Sequence, residues 1–244
     1  MPLPVDAVLI VLAALWGAAA GALVPRAAYR LSVPAEEDWR AACPAGHVLV
    51  GWLGPARCAG CPGRPYGSGT ATVPVTAAVC AVLAAATGPR PELAVWLLLA
   101  PVGVLLAVVD LRVQRLPDPL TLPFAGAALL LLGAAALLPG HAGRWTTAVL
   151  GALALGAGYL LLFLVNPGGM GFGDVKLALG AGAVLGWYGW PTVLLGAFAG
   201  FLFGALYGGV LVLARRAGRG TVIPFGPFLV TGALAGLLIG AYTA

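Results

Sequence analysis

Charge is what this chain has least of. Of its 244 residues only 9% are Asp, Glu, Lys or Arg, with one lysine and eight acids in all. A soluble domain keeps roughly 25–35% of its surface charged, so this composition excludes a water-soluble enzyme. Other features are missing as well. No repeat of the inverted-transporter kind and no low-complexity tail stand out. The stretch "GGMGFGDVK" has neither the spacing nor the Ser/Thr of a phosphate-binding P-loop. The first apolar run is followed by no small-residue cleavage signature, so it reads as a retained span rather than a cleaved signal.

What fills the chain instead is hydrophobicity. Mean hydropathy is +1.01 and 61% of residues are apolar. Apolar runs of about 17 to 22 residues recur, the length that crosses a bilayer as a helix. In lipid the backbone must satisfy its own hydrogen bonds, which selects helices over open strands. The expected fold is all-α and polytopic, with helices near 5–24, 71–88, 92–109, 121–138, 145–165, 175–188, 191–213 and 222–242. Gly and Ala crowd these spans, as in "GALALGAG", and small residues let helix backbones approach closely. Trp145, Trp187, Tyr188 and Trp190, near span ends, read as interface anchors.

Basic residues orient the spans. With the N-terminus outside, eleven fall on the cytoplasmic side: Arg26, Arg30, Arg40, Arg57, Arg64, Arg112, Arg115, Lys176, Arg215, Arg216 and Arg219. Only Arg90 and Arg144 fall outside. The net charge of +5 therefore reflects topology and anionic headgroups of the bilayer, not a nucleic-acid partner. The division expected is a first span at 1–24, a cytoplasmic insert at 25–70, and a seven-helix membrane core at 71–244.

Scarcity makes the remaining acids conspicuous. Beyond residue 92 only Asp110, Asp118 and Asp174 remain, all at cytoplasmic helix ends. Ionisable groups at such depth point to a functional site. Asp110 follows an unbroken apolar helix in "LLAVVDLRVQRLPDPLT" and would be partly desolvated. Asp174 follows Gly168, Gly169, Gly171 and Gly173, a run with almost no side chains, which lets a substrate chain come close. If the two helices adjoin, one acid can activate water as general base while the other protonates the leaving group. Blander roles stand beside this one: a helix N-cap for Asp174, an interfacial charge beside Arg112 for Asp110. Asp118, between Pro117 and Pro119, reads as a turn or N-cap residue.

"GFGDVKL" (171–177) has the GxGD form of intramembrane aspartic peptidases, and with "DLRVQRLPDPLT" upstream it resembles the type IV prepilin peptidase family. "GALVPRAAYRL" is similar to that family's first-span exit, with Gly21, Arg30 and Leu31 in register, and "GAGAVLGW" and "IPFGPFL" also look like it. The resemblance covers most of the chain. It implies a multi-pass enzyme of the cell membrane that cuts the short basic leader from prepilin-like substrates of type IV pilus or protein-secretion systems, at the cytoplasmic face. By motif, Asp110 and Asp174 carry over as the catalytic pair, and Asp118 does not. The rival class is a proton-coupled transporter with the two acids as a relay. It calls for mid-membrane acids and repeated broken helices.

The insert holds three of the four cysteines. "CAGC" (58–61) is a CxxC knuckle and "CPAGH" (43–47) adds Cys and His, so Cys43, His47, Cys58 and Cys61 offer four ligands suited to tetrahedral zinc. On the cytoplasmic side disulfides do not persist, which favours metal over a staple. Many members of the resembled family carry two CxxC pairs here. This chain has Gly46 where the second Cys of the first pair would fall, and His47 is the expected replacement. Many relatives also N-methylate the new N-terminus with S-adenosylmethionine, an activity linked to the insert. Nothing in residues 25–70 spells a methyl-donor site, so bifunctional and peptidase-only readings both stand.

Overall fold

The computed structural model describes residues 5–34, 36–61, 65–66, 71–216 and 223–244. Among them eight α-helices follow one another, with no strand beyond an isolated bridge between Ala42 and Val48. They are α1 (Val5–Leu31), α2 (Thr72–Thr87), α3 (Glu92–Val113), α4 (Asp118–Ala135), α5 (Trp145–Val165), α6 (Phe172–Gly186), α7 (Trp190–Leu213) and α8 (Gly226–Thr243). Six are long and apolar enough to cross a membrane; α2 and α6, at 16 and 15 residues, are the shorter two. At about 1.5 Å per residue α6 rises only about 22 Å, short of a full hydrocarbon core.

α6 is nevertheless the hub. It touches α4, α5, α7 and α8, and eleven of its fifteen residues are buried. In α7 only four of 24 are. Leu194, Phe198, Leu206, Val210 and Leu213 of α7 instead face outward, an apolar surface suited to lipid and not to water.

Close backbone approach explains the glycines. A Cβ on Gly17 or Gly21 of α1 would fall 2.5 and 2.7 Å from the carbonyl oxygens of Thr76 and Thr72 in α2. Between α5 and α6, a Cβ on Gly151 would sit 2.5 Å from the Gly182 oxygen, and one on Gly156 would overlap the Leu179 side chain. Dispersion between such tightly apposed backbones holds helices together where lipid gives no hydrophobic drive.

Several expected boundaries move. α1 continues to Leu31, through Pro25, because Ala27, Ala28 and Leu31 pack on Leu105 and Val109 of α3. α3 runs to Val113, so Asp110 lies inside its last turn. α4 begins at Asp118 and α6 at Phe172. Trp187 is not an interface anchor: it is 1% exposed, and Gly143 packs so closely against its indole that a Cβ there would clash. Arg64 and Arg219, which entered the basic split, lie outside the described residues.

Candidate active site

The end of α3 meets the beginnings of α6 and α8 at one point. At the end of α3, Gln114 turns left-handed (φ 51°) and its N–H closes on the Asp110 carbonyl at 2.8 Å. The Asp110 side chain is 4% exposed, and its Oδ2 accepts the N–H of Gly226, the first residue of α8, at 2.9 Å. Asp174 sits in the first turn of α6. It is 6% exposed, and its Oδ2 accepts the N–H of Gly171 at 3.1 Å. Each carboxylate thus meets the positive end of a helix, which stabilises negative charge there.

The two acids line one cavity of about 510 Å³. The structure brings together what the sequence left 64 positions apart. The glycine run from Gly168 to Gly173 forms part of the wall. A Cβ on Gly173 would fall 2.8 Å from that of Leu116, so this glycine lets the start of α6 lie against the α3–α4 connection. A buried carboxylate pair beside a cavity of this size can accept one proton and deliver another to a bound chain. Oδ1 of Asp174 is buried and has no hydrogen-bond partner among the described residues.

Asp118 lines the cavity mouth without capping a helix. Pro117 holds the N-cap position of α4, no side-chain cap bond forms, and the Asp118 carboxylate pairs with Lys176 Nζ at 2.6 Å. The N-cap reading of Asp118 is therefore corrected. Lys176, two residues after Asp174, finds its counter-ion there.

Three contributors escaped the sequence reading. Gly226 sits where a Cβ would come 2.8 Å from Asp110 Oδ2, so only glycine leaves its N–H free to reach the acid. Its stretch "IPFGPFL" was visible, but its role was not. Trp39, from the insert, lines the cavity and lies under the Arg115 guanidinium, 5.5 Å from the ring centroid. Arg115 in turn donates to the Pro34 carbonyl at 2.8 Å. No sequence pattern ties Trp39 to a site 71 positions away. Tyr159 of α5, buried against Phe225 of the cavity wall, is the third.

The insert gathers Cys43, His47, Cys58 and Cys61, whose ligand atoms all lie within 4.8 Å of one another. Cys43 Sγ is 3.6 Å from His47 Nδ1 and 3.8 Å from Cys61 Sγ, and His47 Nδ1 is 3.2 Å from Cys61 Sγ. Tetrahedral zinc, with bonds of about 2.0–2.3 Å, needs ligand atoms roughly 3.3–3.8 Å apart; the residues fit that ion. Gly46 (φ +84°) makes the turn that returns His47 toward Cys43, and a Cβ on Gly60 would crowd the imidazole at 3.1 Å. Burial works against a thiolate at Cys43, but N–H groups of Ala45 and His47, together with the His47 and Cys58 side chains, outweigh it and bring its pKa down to about 6. The knuckle is tethered to α1: Arg26 Nη1 donates to Val50 O and Arg30 Nη1 to Gly51 O, each at 2.7 Å. Cys80 is fully buried in α2 and belongs to the core.

Known proteins resemble this chain over most of its length. The sequence profile of the type IV leader peptidase family matches residues 96–209, a span that includes both aspartates. The prepilin leader peptidase/N-methyltransferase of Aeromonas salmonicida (strain A449) is 37% identical over 201 residues, covering 79% of this chain and 65% of that protein. The protein of the same name from Burkholderia pseudomallei (strain K96243) is 33% identical over 235 residues, covering 88% and 70%. That from Escherichia coli (strain K12) is 38% identical over 178 residues, covering 68% and 73%. The chain spans just under two-thirds of the length of its Aeromonas relatives. No solved structure matches it. With identity above 30% across most of both sequences, the chain belongs to the type IV leader peptidase family.

Proposed function

We propose that this protein is a membrane aspartic endopeptidase that removes the basic leader from prepilin-like precursors, pilins or pseudopilins, at the cytoplasmic face. The observation that carries the reading is the placing of Asp110 and Asp174 on one cavity, each held by a helix-start N–H. In this reading one carboxylate takes a proton from the attacking water and the other protonates the leaving amine; the roles exchange as the proton returns. The oxygens already bonded to Gly171 and Gly226 hold the two side chains in place through the cycle. The family and the names of its relatives supply the substrate class.

The orientation follows the basic split, which leaves the cavity on the cytoplasmic side and the 139–144 connection outside. The working units are the first span (1–24), the insert (25–70) and the seven-helix core (71–244), with the first helix continuing into the insert's numbering. Zinc held by Cys43, His47, Cys58 and Cys61 would be structural, since four protein ligands leave no open position. Methylation of the new N-terminus is the second activity that the relatives' name carries. It would draw its methyl group from S-adenosylmethionine, and label transfer from that donor to the cleaved product tests it. A transporter reading wants acids at mid-membrane, whereas here they close one end of the bundle.

The test is direct. Purified protein in detergent is mixed with a peptide bearing a basic leader, a Gly, and an apolar helix. Cleavage after the Gly supports the peptidase reading, and an intact peptide under conditions that keep the protein folded rejects it.

A further inference from the structure

The mechanism above leaves one buried hydroxyl without a task. Tyr159 lies on α5, which runs antiparallel to α6. Gly151 packs against Gly182 and Gly186, and Gly156 against Leu179. Continued by one turn, that register brings Tyr159 level with the first turn of α6, where Asp174 sits.

The ring is 1% exposed. It stacks on Phe201 at 5.6 Å and tilts against Phe225 at 5.9 Å; Phe225 is itself a wall of the catalytic cavity. Among the described residues its buried hydroxyl has no hydrogen-bond partner, and neither has the buried Oδ1 of Asp174. Phenylalanine would fill the same aromatic cluster without burying an unpaired hydroxyl, which is costly in an apolar setting. A donor and an acceptor, each unpaired, at the same level of two packed helices call for a joint explanation.

We infer that Tyr159 is a positioning residue for Asp174: its hydroxyl is the donor, directly or through one water, for the free Oδ1 when substrate is bound. With Gly171 N–H on Oδ2 and Tyr159 on Oδ1, both carboxylate oxygens are fixed, and the plane of the group is set for proton transfer. Apo sites commonly leave such bonds open until substrate closes them. This inference rests on the aspartic peptidase reading.

The experiment compares wild type and Tyr159→Phe as full-length purified proteins on the leader peptide, with thermal unfolding measured in parallel. The inference predicts kcat about tenfold lower, the loss of one well-aligned hydrogen bond. KM should stay within twofold, and the unfolding temperature should be equal or higher. Tyr159→Leu, which also loses the ring contacts, should lose at least as much kcat and unfold earlier. A kcat for Tyr159→Phe within twofold of wild type overturns the inference while leaving the peptidase reading intact. A fall in kcat that comes with lower thermal stability assigns Tyr159 to packing and overturns it too. If wild type itself fails to cut the peptide, the peptidase reading falls and this inference with it.

Discussion

Glu92 and the pair Asp110–Asp174 are all acids buried in the same apolar bundle, at opposite ends of it. Eighteen residues of α3, about 27 Å of helix, separate Glu92 from Asp110. Glu92 is the more deeply buried, at 0% exposure against 4% and 6%. Its Oε1 accepts the N–H of Ala142 at 3.2 Å and the hydroxyl of Tyr188 at 3.4 Å, tying α3 to the α4–α5 connection and to the end of α6. It is absent from the cavity that holds the two aspartates. Burial alone therefore does not mark a catalytic acid. What separates the two ends is space for a substrate, a neighbouring carboxylate, and helix-start N–H groups that favour charge.

Substitutions distinguish the two ends of the bundle. The largest effect belongs to Asp110→Asn and Asp174→Asn. Each should lower peptide cleavage by about 10³-fold or more, since an amide can neither accept nor return the proton. Both proteins should remain in the membrane, because neutralising a buried acid does not disfavour the fold. A complete but different loss is expected for Cys61→Ser. Elemental analysis should find about one zinc per wild-type chain and little in the variant. Full activity from a metal-free wild type would remove zinc from the account.

Glu92→Ala should act on stability, lowering it by about 1–3 kcal/mol as Ala142 N–H and Tyr188 lose their acceptor. Cleavage per folded molecule should be kept, as measured by activity against the amount of monodisperse protein. The smallest effect is expected at the cavity mouth. The Asp118–Lys176 pair is solvent-exposed on the Asp118 side, 61% for its side chain. Such pairs contribute about 0–1 kcal/mol, so Asp118→Asn should stay within about fivefold of wild type. A loss as large as that of Asp110→Asn would mean that the wrong acid had been paired with Asp174.

The sequence made the bundle legible because lipid enforces long apolar helices, and the eight expected segments all appear. It missed their ends where tertiary contact extended a helix, as at Pro25–Leu31 against α3. The two aspartates were legible because acids are so few. The N–H groups that hold them were not, since Gly226 becomes meaningful only once α8 is seen to begin beside Asp110. Glu92 stood at the first position of the expected 92–109 helix, and nothing in "GPRPELAVW" says that Ala142 and Tyr188 will close over it. Trp39 was hidden for the same reason: contacts between an insert and a distant helix end leave no local pattern. The Cys/His cluster was readable from spacing, and the turn at Gly46 that brings His47 into it supplies the missing geometry.

On the proposed reading the cavity, and not burial, makes an acid catalytic. The most direct test removes the charge by the same acid-to-amide change at both ends of the bundle, with Asp174→Asn and Glu92→Gln assayed side by side on the leader peptide. Glu92→Gln should cut at a rate within about threefold of wild type, while Asp174→Asn should yield no detectable product from an equally folded preparation. Cleavage retained by Asp174→Asn, or abolished in well-folded Glu92→Gln, would contradict that reading.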